Sequence, residues 1–191
     1  MSGFVSPDWT SPLDLVLELR RIPESARQKG MFLQAMVAEA KRRGAALPSA
    51  RDRYVLFQDY PLREHAQLLA EFSAQFHPEL PLRQGLRRLG RAAYAALTES
   101  TVGKVIWASA TDPAGAVEAI VKAYEISIHG CSAKVVERTR TSARVRLERI
   151  HYFLDCHHVG CFEGGLRAAG VEGDVKIRLE SYSSGELLCS W

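Results

Sequence analysis

No run of apolar residues in this chain approaches the roughly eighteen that a membrane-crossing helix needs, so no membrane span is expected. The first residues, MSGFVSPDWTSPLDLVLELRR, lack a basic segment followed by an apolar stretch and a small-residue cleavage site, which argues against a secretory leader. The expected location is cytoplasmic. Cysteine is scarce: Cys131, Cys156, Cys161 and Cys189 in 191 residues do not make a disulfide scaffold, and reduced thiols are expected. Charge of one sign is also short, with 25 Lys and Arg against 22 Asp and Glu, and a net charge of +3 does not point to nucleic acid. The glycine-rich phosphate loop, the dinucleotide fingerprint, the serine elbow and the His-Glu-x-x-His helix are all missing. No catalytic residue and no cofactor is therefore expected, and the balance leans away from an enzyme.

What is present is the composition of an ordinary globular protein, 47% hydrophobic and 25% charged, of a length that suits one domain over residues 1–191. Ser11, Pro12 and Asp14 read as the start of a short helix over Leu13 to Ile22. Ser25 and Gln28 form a capping-box pattern ahead of Met31, Phe32, Ala35, Met36 and Ala40 at helical spacing. Asp59 and Pro61 introduce a third helix with His65, Leu68, Leu69, Phe72 and Phe76 on one face. A fourth helix carries Leu82, Leu86, Leu89, Ala93, Tyr94 and Leu97, and Asp112-Pro113 starts another through Ala123. From Tyr124 the pattern changes to alternation, in AYEISIHG, AKVVERT and ARVRLERI, then to helical period over 151–169, then to DVKIRLESY and ELLCSW. Residues 1–123 are thus expected to be mainly helical, and 124–191 an antiparallel sheet with one helix. The fold class is α+β, in the order strands, helix, two strands at the C-terminus.

The stretch HYFLDCHHVGCFEGGLRAAG, 151–170, crowds imidazoles and thiols together. On a helix His151, Asp155 and His158 share a line, which would offer two imidazoles and a carboxylate to a metal-dependent enzyme. A two-turn line converges poorly on one ion, so no metal ligand is assigned. Cys156 and Cys161 lack the close spacing of structural zinc, and pairing either with His157 or His158 as a nucleophile runs against the divergence of adjacent side chains. Leu154, His158, Cys161, Phe162, Gly165, Leu166 and Ala169 fall on one apolar stripe. Gly160 and Gly164, with Gly165 beside them, cost about 1 kcal/mol each against alanine inside a helix, so a close neighbour or interface is expected there.

Arg83, Arg87 and Arg91 recur every fourth residue, with Arg88 beside them, and form a positive stripe for an anion or a partner, or a face turned to water. Tyr94, Trp107, His158, Phe162 and Leu166 are the candidate walls of a ligand pocket between the helical half and the glycine-bearing helix.

Three blocks, RYVLFQDYPLREHAQLLAEF, HPELPLRQGLRRLGRAAYAAL and IHYFLDCHHVGCFEGGLRAAGVEGDVKIRL, resemble a myxobacteria-restricted paralogous family classed as a domain of unknown function. The resemblance covers nearly the whole chain from residue 11 and implies no chemistry. The order of elements also looks like the architecture shared by haem-nitric-oxide-binding, four-vinyl-reductase-type and TRAPP-type domains, which is an analogy of fold. The haem members hold the propionates with Tyr-x-Ser-x-Arg; YSSGE at 182–186 lacks the arginine. The expected function is a non-enzymatic small-molecule-binding or sensory domain for an apolar ligand. The alternatives are an adaptor or scaffold working as a homodimer, and the metal-dependent enzyme above.

Overall fold

A computed structural model describes the backbone of residues 3–99, 104, 110 and 112–191, and side chains for the same residues except 94–99. Helix α1 spans Leu15–Arg21, and its cap is the Asp14 carboxylate, which accepts from the Leu17 amide at 3.0 Å. Ser11, expected as the cap, instead donates its amide to Asp8, in a turn where Asp8 also holds Thr10. The capping box at Ser25 does not start a helix either. Arg27–Lys29 forms strand β1, because its backbone pairs on one side with β2 (Asp59–Pro61) and on the other with β3 (Ile128–His129). Helices α2 (Gly30–Arg42), α3 (Leu62–Phe76) and α4 (Leu82–Glu99) form where helical spacing placed them; α3 buries the expected face, whereas α2 buries Leu33, Val37 and Ala40 and leaves Ala35 exposed, and on α4 Leu86 is buried but Ala93 is exposed.

Helix α5 (Pro113–Ser127) begins at Asp112, whose carboxylate accepts from the Gly115 amide at 2.6 Å. It runs past Ala123, where alternation suggested a strand, because Tyr124 and Ser127 continue its buried face. Strands β4 (Ser132–Arg138), β5 (Ser142–Glu148), β6 (Asp174–Leu179) and β7 (Gly185–Ser190) make an antiparallel sheet in the order β4-β5-β7-β6. Val5 bridges Ile177 and so covers part of the β6 edge. The class is α+β, as the sequence pattern implies.

The alternation in β5 turns Ala143, Val145 and Leu147 inward, where they meet Val117 and Val121 of α5 and Phe162 and Leu166 in one core. On the opposite face Arg144, Arg146 and Arg178 gather around the buried carboxylate of Glu186. A second core, between α2 and α3, holds Leu33, Val37, Leu68 and Phe72. The helix expected from residue 151 starts later. Phe153 sits in the left-handed region at φ 44°, which breaks any helix before it; a π-helical turn covers Leu154–His158, and helix α6 covers Val159–Ala168.

Candidate functional site

Helix α4 lies directly on the π-turn and α6, and glycine makes that approach. A methyl at Gly160 would overlap the Arg87 carbonyl oxygen, one at Gly164 the Arg91 carbonyl oxygen, and one at Gly90 the His157 carbonyl oxygen. Gly165 is buried in α6. The neighbour that the glycines require is therefore α4 of the same chain, and its backbone occupies the face on which a pocket was expected.

The arginines of α4 flank this contact. Arg83 pairs with Asp155, and Glu163 takes both Arg87 (Nε, 2.8 Å) and Arg91 (Nε, 2.7 Å). These side chains are neither a bare solvated stripe nor a free one, since each meets a carboxylate on the next helix. The Glu163 side chain is only 8% exposed, and one carboxylate there serves two guanidiniums. Outside the pair lies a groove of about 650 Å³ lined by Trp9, Leu80, Gln84, Arg87, Arg88, Arg91, Ala92 and Arg167. The Arg87 guanidinium stacks 3.7 Å from the centroid of the Trp9 ring.

Beneath the contact is a buried cluster of imidazoles. The His157 Nδ1 lies 3.2 Å from the Leu86 carbonyl, which only accepts, so Nδ1 carries the proton and Nε2 is free to accept from the Cys161 thiol at 3.7 Å. His158 Nδ1 shares a hydrogen bond of 2.5 Å with the Tyr124 hydroxyl. His158 Nε2 and His65 Nδ1 are buried without a hydrogen-bond partner, and the Tyr152 ring packs against both imidazoles, its centroid 4.5 Å from the first and 5.6 Å from the second. Burial pushes His65 down to about 3, His157 to about 4 and His158 well below its ordinary value, and it pushes Cys161 up to about 12. Imidazoles and thiol are neutral at pH 7. Removing the hydroxyl in Tyr124→Phe strands His158 Nδ1, and a loss of about 1–3 kcal/mol of unfolding free energy is expected by urea titration at pH 7.5.

Phe162 and Leu166 are fully buried between α6 and the sheet, and His158 is 2% exposed. The Tyr94 side chain and Trp107 lie outside the described residues. The metal line breaks up on inspection: His151 faces Tyr182, Asp155 is held by Arg83, and His158 by Tyr124. The absence of a helix at 151–153 removes the regular spacing on which that line depended. Among the described residues no group of three or more His, Cys, Asp or Glu is placed to hold a metal ion, and no helix is long and apolar enough to cross a membrane. Sequence reasoning missed Trp9, Glu163 and Arg167. Trp9 stands in no periodic segment, whereas Glu163 gave one weak sign, as a carboxylate on the same helix as the glycines.

The family model for the protein of unknown function DUF2378 matches residues 22–191. The chain belongs to the DUF2378 family. No curated protein matches it. Among solved structures, it is similar in fold to the Fe(II) unliganded H-NOX protein from K. algicida (TM-score 0.63, 14% identity, 85% of this chain and 95% of that one). An H-NOX protein from S. oneidensis in the Fe(II)NO ligation state gives 0.56 at 13% identity, covering 85% and 98%. An oxygen-binding H-NOX domain related to soluble guanylate cyclases gives 0.58 at 14%, covering 84% and 89%. At these identities the likeness shows an H-NOX-like fold for this DUF2378 chain and nothing finer.

The H-NOX family of that fold is described with a haem, and the described interior of the DUF2378 chain does not fit one. Among the described residues, two unpartnered imidazole nitrogens are of a kind that suits an iron. The Tyr152 ring packs against both imidazoles, and it shares one continuous core with Phe153, Leu154 and Phe162.

Proposed function

We propose that this DUF2378 chain, acting as one unit over residues 1–191, is a non-catalytic ligand-binding domain of the sensory kind, with its ligand site in the groove beside Trp9. The groove carries this reading: about 650 Å³ is within the range of roughly 300–1,000 Å³ typical of small-molecule sites, and it combines an aromatic face with convergent polar groups. The H-NOX-like fold supports it by analogy, because relatives of that fold are solved with oxygen or nitric oxide bound. A groove over the α4–α6 contact also suits a sensor, since anything that moves α4 must disturb an interface with no slack at three glycines.

The test is a thermal-shift screen of small molecules, followed by the same measurement on Trp9→Ala. A hit that raises the melting temperature of the native protein and loses its effect in the variant is the expected result. A screen without hits, or hits indifferent to Trp9, overturns the assignment. A homodimeric adaptor is the second reading, and one observation favours it: Val55, Leu56 and Phe57 stand side by side with 49%, 49% and 68% exposure. If a second copy covers them, sedimentation shows a dimer that Phe57→Asp dissociates; a monomer at all concentrations removes this reading.

A further inference from the structure

We infer that the groove takes a phosphate-bearing ligand of the nucleotide class, and that its phosphates displace Glu163 from Arg87 and Arg91. The inference rests on the groove being the ligand site. Four guanidiniums line it, those of Arg87, Arg88, Arg91 and Arg167. Their carboxylates are Glu163, Glu79 and Glu172, one fewer in number. Two of the pairs hardly count against a ligand. Arg88 and Glu79 are 3.8 Å apart with side chains 61% and 60% exposed, and Arg167 and Glu172 are 64% and 83% exposed, so water screens both. A guanidinium presents its donors as a planar fork, which matches phosphate oxygens better than an apolar or neutral ligand. Arg87 covers one face of the Trp9 indole, which also packs on the core, and the indole surface left open to the groove is the place where a purine or pyrimidine ring would lie.

Glu163 gives the site its consequence. Its side chain is 8% exposed and pairs with two guanidiniums at once, leaving one positive charge uncompensated. A ligand phosphate that draws these away leaves a buried carboxylate without its cations, which is costly. Arg87 and Arg91 also supply the carbonyls that rest on Gly160 and Gly164, so the exchange acts on the same two residues of α4 that set its distance from α6. Binding at the groove is thereby tied to the packing of the two helices.

Isothermal titration with GDP and with inorganic pyrophosphate, on the whole chain, tests this. GDP is expected to bind more tightly than pyrophosphate, and Trp9→Ala to remove that advantage while leaving pyrophosphate unchanged. Glu163→Gln, which keeps the size and removes the competing charge, should raise the affinity for both about tenfold. Arg88→Gln, a change at an exposed position that does not threaten folding, should lower the affinity for both about tenfold. Phosphate probes that bind equally well to the native chain, Glu163→Gln and Arg88→Gln overturn the proposed contacts. If neither probe binds while a thermal-shift hit still depends on Trp9, the ligand class is wrong and the groove assignment stands; if no hit depends on Trp9, both fall.

Discussion

The Gly160→Val variant is expected to lose about 3 kcal/mol or more of unfolding free energy, read as a lower urea midpoint with little change in slope. The reason lies in what the missing side chain admits. At Gly160 the nearest foreign atom is the Arg87 carbonyl oxygen, which belongs to the backbone of α4 and cannot rotate out of the way. Either α4 moves as a rigid body or the contact is lost. Moving it strains the Gly164 and Gly90 contacts, and it pulls Leu86 from the His157 ring. Gly160→Ala gives the sharper sign test. Helix propensity alone favours alanine over glycine by about 1 kcal/mol, so a free helix face predicts a gain, whereas the α4 contact predicts a loss of about 2 kcal/mol. The double variant Gly160→Ala/Gly164→Ala should cost less than the sum of the single ones, because α4 needs to be displaced only once. A stabilised Gly160→Ala protein would falsify the helix crossing.

The glycines show what a single sequence reveals and what it withholds. Their helical spacing made a close neighbour necessary, but the identity of that neighbour depends on Arg87 and Arg91, more than seventy residues earlier in the chain. The arginine stripe was equally visible and equally incomplete: a four-residue spacing fixes which side chains share a face, and says nothing of Asp155 and Glu163 opposite. The strands from Ser132 onward were legible because each runs for six or seven residues, whereas the four residues Tyr124 to Ser127 are too few to separate alternation from the end of a helix. Arg27–Lys29 could not be read as a strand, since its pairing partners lie about 30 and 100 residues away. The turn at Phe153 had no local sign at all. A phenylalanine at positive φ is held there by the packing around it, Ile150, Tyr152 and Leu154 being buried with it.

Acid should unfold this protein in the range where histidine, not carboxylate, titrates. In the unfolded chain an imidazole titrates near 6.5, while burial holds His65 at about 3, His157 at about 4 and His158 lower than its ordinary value in the native state. Between those values the unfolded chain binds protons that the native chain refuses. Stability therefore falls as the pH drops below about 6.5, and above that these groups contribute no pH dependence. His157 alone accounts for a loss on the order of 3 kcal/mol across its window, and three such groups together rival the roughly 5–15 kcal/mol that holds a typical domain folded. The lowered carboxylates, Asp8, Glu39, Glu64 and Glu148, lose their contribution only at more acid pH, so the interval from about 6.5 to 5 reports on the imidazoles. Urea midpoints should hold level from pH 8 to about pH 6.5 and decline from there to pH 5, and a profile that stays flat to pH 5 rules out neutral buried histidines. His65→Phe sharpens the test. It removes a ring nitrogen that has no partner, so at pH 8 the variant should be close to the native protein. At pH 5 it should be the more stable of the two by about 2 kcal/mol, since one of the three buried imidazoles that take up a proton only on unfolding has gone.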